Sequence, residues 1–369
     1  MRTFRLAFTG DYLDEKGQPA YGDHGYVQLA QAPYVEYDFL RDQAPRAGDA
    51  AYWQRLYSME VTPGQIRGLD GLVVLRPAVR RPAIAAAAER LVVIGRSGAG
   101  YEKIDAAACT EHDVLLFNAP RGLDHATAST ALMFMLVLAK RLAEQQEITR
   151  RAQWQRQAEV TGSEIQGRTL GIIGLGHSGR ELVRLVAPFE MRVLAYSPHA
   201  DPAQALALGV QLTTLDELLR ESDFVSLHAR LTDSVRRLIG APQLAMMKPT
   251  AYLINIARGA MIDQAALVAA LRERRIAGAA LDVFEVEPLP AGDPLLGLDN
   301  VVITPHWSAS TSDVWATTGK ATAEGVLRVA RGEPPANVVN PAVLERSGFQ
   351  AKLARFAENQ AVARPARAE

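Results

Sequence analysis

The chain has 369 residues, 48% of them hydrophobic and 22% charged, with 40 Lys plus Arg against 41 Asp plus Glu. That length suits two domains with large cores, and a net charge of −1 leaves no basic field for nucleic acid. The longest apolar run, residues 131–139, is too short for a membrane span and is followed by Lys140 and Arg141, so it reads as a buried helix. Cys109 is the single cysteine, which excludes an internal disulfide and a cysteine-built metal site, and the N-terminus lacks a long apolar signal core. A cytoplasmic protein without a metal is expected, with no membrane and no nucleic-acid partner.

In chain order, strand-like runs fall at residues 4–8, 71–75, 91–94 and 114–117, separated by helical or loop segments as in a parallel α/β layer. They define a first, smaller domain over residues 1–118. A helical pattern from about 124 to 151 is too long for a crossover and reads as a connecting arm. Six further strands, at 170–173, 192–196, 224–227, 251–256, 279–281 and 301–303, alternate with helical segments and place a second domain at residues 119–310. Within it, Thr214-Leu-Asp-Glu217 has capping-box spacing. A helical stretch from Thr311 to about Ala330 returns to the first domain, as residues 311–345, and the Ala-, Arg- and Glu-rich residues 346–369 are expected to form a fraying tail. The fold class is α/β: two doubly wound parallel-sheet domains, the larger a Rossmann dinucleotide-binding domain inserted in the chain of the smaller substrate domain.

The most informative stretch is Gly174-Leu-Gly176-His177-Ser178-Gly179, between a buried strand and a helix. Gly174 permits a tight turn, Gly176 leaves room for the backbone to approach a pyrophosphate, and Gly179 lets the helix pack on the strand with its amides toward the anion. The carboxylate expected about 20 residues on, to bind the adenosine ribose, is replaced by Ser197, followed by Pro198 and His199. A nicotinamide dinucleotide is therefore expected, NAD by preference. NADP stays open, through His199 or the more distant Arg230.

Three further segments lie at strand ends of the second domain: Asn255-Ile-Ala257-Arg258-Gly259, Asp282-Val-Phe-Glu-Val-Glu287-Pro288, and Thr304-Pro305-His306-Trp307. An Arg offers a fork to a carboxylate or carbonyl, a His titrates near neutral pH, and a Glu beside that His favours its protonated form. This equipment suits hydride transfer to a 2-oxo acid: Arg258 anchors and polarises, His306 protonates the forming alkoxide, and Glu287 orients and charges His306.

These motifs resemble the D-isomer-specific 2-hydroxyacid dehydrogenase family, of the phosphoglycerate or hydroxypyruvate-glyoxylate reductase type, over roughly residues 60–340. The resemblance implies that Arg258, Glu287 and His306 are catalytic. It also implies that Ala257 and Asp282 contact the cofactor, Asp282 at the nicotinamide amide. The loop Gly95-Arg96-Ser97-Gly98-Ala99-Gly100 resembles the family segment whose backbone amides receive the substrate carboxylate, with Ser97 and Gly98 as contacts and Arg76 assisting. It further implies a small 2-oxo or 2-hydroxy acid as substrate and a homodimer built on the arm, where Trp154 reaches toward the partner. Departures are His177-Ser178, where relatives carry Arg-Ile, together with Ser197, Ser129 and Arg230. Glu287, rather than Gln, argues against a formate dehydrogenase. The competing reading is an NAD(H)-sensing binding protein of corepressor type; the absence of a basic face and of a long interaction tail counts against it.

Overall fold

A computed structural model describes residues 1–120 and 122–363. The chain divides into two compact units, Met1–Leu123 with Thr311–Glu369, and Asp124–Ser310.

The first unit holds five parallel strands: β1 Phe4–Phe8, β2 Val35–Phe39, β3 Gly71–Val74, β4 Val93–Arg96 and β5 Leu115–Asn118, in the order β2-β1-β3-β4-β5. β3 is buried throughout, as strands covered on both faces must be, and therefore reads as an unbroken apolar run. β2, Val-Glu-Tyr-Asp-Phe, is an edge strand with alternating half-buried and exposed residues, and it lies in the stretch before Gly71 where the resemblance is weak. Strand order reverses between β1 and β3, so the carboxyl ends of these strands open the position where such sheets take ligands. Asp11 and Arg76 follow them there.

The expected fraying tail is not one where the structure describes it. Ser347–Ala354 is a helix, and Phe349, Leu353 and Phe356 are buried in the first unit's core. Lys352 is also buried, its Nζ donating to the carbonyls of Leu91 (3.1 Å), His112 (2.7 Å) and Asp113 (3.0 Å). Three carbonyls compensate the ammonium, although burial still lowers its pKa to about 8. The Ala and Arg content concealed a short amphipathic repeat; residues 364–369 of the expected tail lie outside the described residues.

The second unit holds seven parallel strands, one more than expected: β6 Thr169–Ile173, β7 Arg192–Tyr196, β8 Val210–Leu212, β9 Phe224–Leu227, β10 Tyr252–Asn255, β11 Gly278–Leu281 and β12 Val301–Ile303. Their order, β12-β11-β10-β9-β6-β7-β8, reverses between β6 and β9, which is the doubly wound arrangement. The extra strand, β8, is a three-residue edge strand too short to show a period. The arm is two helices, α1 Asp124–Ala139 and α2 Leu142–Arg150, bent by 59°. Arg141 sits between them in the left-handed region at φ 51 and ion-pairs with Glu144 at 2.7 Å. No single helix among the described residues is long and apolar enough to cross a membrane. Thr214 caps the helix Leu215–Glu221 by accepting from the Glu217 amide at 3.2 Å. The Glu217 carboxylate turns to the Thr213 hydroxyl, so only half of the expected box forms.

Phe349→Ala should lower stability to urea by about 3–5 kcal/mol, the cost of emptying a buried aromatic site. A frayed segment would leave the midpoint unchanged.

Candidate active site

The glycine turn joins β6 to α3, His177–Val186. Gly174 has φ +96, and a Cβ there would lie 2.6 Å from the Ala229 backbone, so only glycine lets the chains after β6 and β9 meet at the sheet's switch point. A Cβ on Gly179 would lie 2.6 Å from the Gly174 carbonyl oxygen, which makes this glycine the condition for α3 to start so close to its strand. Gly176 differs: nothing lies within 4 Å of its Cβ position. An open space above a glycine at the first turn of a ten-residue helix fits a pyrophosphate, and the residues present suit a dinucleotide.

Around this turn His177 and His199 are exposed and Ser197 is half-buried beyond β7. The sequence reading missed His228, which directly follows β9. Its Nδ1 lies 3.1 Å from Ser178 Oγ and its Nε2 2.9 Å from Ser226 Oγ. Burial lowers its pKa to about 4, so it is neutral at physiological pH. The signal was its place at the switch point of the sheet.

After β10, Asn255 is fully buried and folds the next turn around itself: its Nδ2 donates to the Arg258 carbonyl at 2.9 Å and its Oδ1 accepts from the Ala257 amide at 3.0 Å. The Arg258 guanidinium donates to the Ala257 carbonyl at 2.7 Å. A Cβ on Gly259 would fall 1.9 Å from the carbonyl carbon of Phe284, so this glycine lets the Arg258 turn press against the backbone that leads to Glu287.

Asp282 directly follows β11 and is fully buried. Its Oδ1 accepts from Thr304 Oγ1 at 2.6 Å and the Trp307 amide at 2.7 Å, and its Oδ2 accepts from the Ser308 amide at 2.9 Å. The Ser308 carbonyl in turn accepts from Thr130 Oγ1 on α1 at 2.9 Å. The loop so tied carries His306 at φ +55, a left-handed conformation costing a non-glycine residue about 1–2 kcal/mol. Three hydrogen bonds to a carboxylate, each worth about 1.5–3 kcal/mol, outweigh that strain.

The held ring places His306 Nδ1 2.7 Å from Glu287 Oε2, while Glu287 Oε1 accepts from the Phe284 amide at 3.0 Å. Burial pushes the Glu287 carboxyl up. The His306 hydrogen bond and charge, the Phe284 amide and the Arg258 charge outweigh it and hold the group below the usual carboxylate value. The structure thus brings Arg258, Glu287 and His306 together. With Nδ1 taken by Glu287, Nε2 is the ring's other nitrogen, and the side chain is 40% exposed.

Arg76, Ser97 and Gly98 belong to the first unit. Arg96 folds the loop inward by donating to the carbonyls of Ser97 and, at 2.8 Å, Gly100. The amides of Gly98, Ala99 and Gly100 have no backbone acceptor among the described residues. Arg76 ion-pairs with the buried Asp11 at 3.4 Å and lies 5.6 Å from the ring centroids of both Tyr21 and Trp53. In the second unit a cleft of about 320 Å³ lined by Arg141, Arg168 and Tyr252 lies at the amino-terminal edge of the sheet, away from the glycine turn. No group of three or more metal-ligating side chains is assembled among the described residues.

Residues 132–308 match the family model described as D-isomer specific 2-hydroxyacid dehydrogenase, NAD binding domain. Relatives include a D-3-phosphoglycerate dehydrogenase of Methanocaldococcus jannaschii, 40% identical over 75% of this chain and 52% of that protein. A glyoxylate reductase of Korarchaeum cryptofilum is 36% identical over 86% of this chain and 94% of that protein. Among solved structures, the TT0316 protein from Thermus thermophilus superposes with a TM-score of 0.76 at 30% identity, covering 91% of this chain and 100% of that one. The chain belongs to the D-isomer-specific 2-hydroxyacid dehydrogenase family, and its second unit carries that family's NAD-binding domain. It spans about half the length of the phosphoglycerate dehydrogenase it matches.

Gly174 and Gly176 predict opposite phenotypes. Gly174→Ala, strained and clashing, should cost roughly 1–3 kcal/mol of stability. Gly176→Ala should melt with the wild type but bind NADH at least about tenfold more weakly, as calorimetric titration reads.

Proposed function

We propose that the protein is a D-2-hydroxyacid dehydrogenase that exchanges a hydride between a nicotinamide cofactor and a small 2-oxo acid. The observation that carries this reading is the 2.7 Å pair of His306 and Glu287 with the Arg258 charge beside it. Bound NADH supplies the hydride. Arg258 anchors the substrate and polarises its carbonyl, and His306 delivers a proton from Nε2 to the oxygen as negative charge develops there. Glu287 fixes the ring through Nδ1 and stabilises its protonated form before transfer. In the reverse direction the same nitrogen takes the proton from the hydroxyl. The Gly98 amide, which has no backbone acceptor among the described residues, is assigned to the substrate carboxylate; Ser97, whose own amide donates to the Val74 carbonyl at 3.0 Å, is assigned to the wall of that loop, and Arg76 is assigned a supporting role. The relatives named D-3-phosphoglycerate dehydrogenase and glyoxylate reductase support a short 2-oxo or 2-hydroxy acid as the substrate.

His306→Asn should lower turnover of a 2-oxo acid panel by about 10²–10⁴ while NADH binding stays near wild type. Turnover within a few-fold of wild type would remove His306 as the acid. Glu287→Gln should move the pH limit of reduction toward lower pH, because the protonated ring loses its negative partner. An unchanged profile would show that the pair does not govern proton delivery.

For the cofactor, Ser197 offers hydroxyl partners to a ribose but no fork for a 2′-phosphate, so NAD is assigned as the preferred form. The ratio of kcat/KM for NADH and NADPH should favour NADH. Ser197→Asp should raise it further by setting like charges together, an effect of up to several kcal/mol where the repulsion is buried. A tenfold wild-type preference for NADPH would overturn the assignment.

Met133, Leu142 and Trp154 on and after the arm are exposed apolar side chains, 46%, 53% and 66% accessible, and we assign them to a homodimer contact. Sedimentation should give twice the 40.0 kDa chain mass at micromolar concentration, and a monomer would refute this.

A further inference from the structure

The chain Ser226–His228–Ser178 contains more information than its distances alone. Ser226 is fully buried, and the only hydrogen-bond partner of its Oγ among the described residues is His228 Nε2, at 2.9 Å. A hydroxyl that accepted from Nε2 would leave its own hydrogen buried without an acceptor, a cost that native interiors avoid. The Ser226 hydroxyl therefore donates, and Nε2 is the unprotonated nitrogen of the ring. His228 is neutral, since burial lowers its pKa to about 4, so its one hydrogen is on Nδ1. Nδ1–H then donates across 3.1 Å to Ser178 Oγ, which uses that oxygen as an acceptor and leaves its O–H to donate elsewhere.

No acceptor within the described residues takes that hydrogen. A serine in the first turn of a helix often returns its hydroxyl to a carbonyl three or four residues back, but Ser178 makes no such bond. It stands in the first turn of α3, after Gly176, in the turn that receives the dinucleotide.

We propose that Ser178 binds the cofactor pyrophosphate through its hydroxyl as well as its backbone, with the donor oriented by the one-way hydrogen-bond chain Ser226 → His228 → Ser178. This rests on the second unit binding NAD and adds residues to that site. His228 is a positioning residue and Ser178 a binding one.

Two measurements test it. In the full-length protein without cofactor, long-range ¹H–¹⁵N correlation of the His228 ring should show hydrogen on Nδ1, and hydrogen on Nε2 would overturn the proposal. NADH fluorescence titration should show Ser178→Ala binding roughly tenfold more weakly, the usual size for one hydrogen bond to an anion, and Ser178→Thr close to wild type. In competition, ADP should weaken with Ser178→Ala and adenosine should not. Equal NADH affinity in wild type and Ser178→Ala would overturn the proposal while leaving the dinucleotide site intact. Failure of the wild type itself to bind NADH would instead overturn the site and the proposal together.

Discussion

The buried carboxylate of Asp282 is the interaction on which the candidate active site hangs. It gathers Thr304, Trp307 and Ser308, and so forces the intervening His306 into a left-handed backbone conformation that a histidine would not otherwise keep. The ring is thereby delivered to Glu287. Remove the three hydrogen bonds and the loop has the conformational entropy of several residues to regain, opposed by the Thr130 bond to the Ser308 carbonyl and the His306–Glu287 pair. Sequence resemblance places Asp282 at the nicotinamide; the structure shows its carboxylate accepting from three donors within the protein, on the loop that carries His306.

The same logic of short backbone approaches recurs around the site. Gly259 admits the Phe284 peptide, Gly174 admits Ala229, and Asn255 ties the Arg258 turn to the end of its strand. Each candidate reactive side chain of the second unit is thus mounted beyond the carboxyl end of a parallel strand and fixed by a buried polar group or a missing Cβ. Rigid mounting of this kind lets a proton donor be worth orders of magnitude in rate, because it costs no reorganisation at the moment of transfer.

Much of this was legible in the residues. The glycine turn and the apolar strands are local patterns, and Arg258, Glu287 and His306, the candidate catalytic residues, lie in three short segments whose chemistry agrees. What stayed hidden is what depends on partners distant in sequence. His228 looks like any histidine after a strand until Ser178, 50 residues before it, is brought under it. β2 and β8 were missed because edge strands are half exposed or very short, and the break of the arm at Arg141 follows from one left-handed residue that no composition announces. The helix at Ser347–Ala354 was concealed by alanine and arginine, although Phe349, Leu353 and Phe356 keep the spacing of a buried helical face.

The most direct test of the central claim is Asp282→Asn, assayed for both 2-oxo acid turnover and NADH affinity. An amide at this position turns one acceptor oxygen into a donor and breaks part of the set held by Thr304, Trp307 and Ser308. If Asp282 organises the acid loop, kcat falls by at least roughly tenfold, the equivalent of one hydrogen bond's worth of misplacement, while the NADH dissociation constant changes less than about twofold. A large loss of NADH affinity with kcat preserved would contradict this and make Asp282 a cofactor ligand instead.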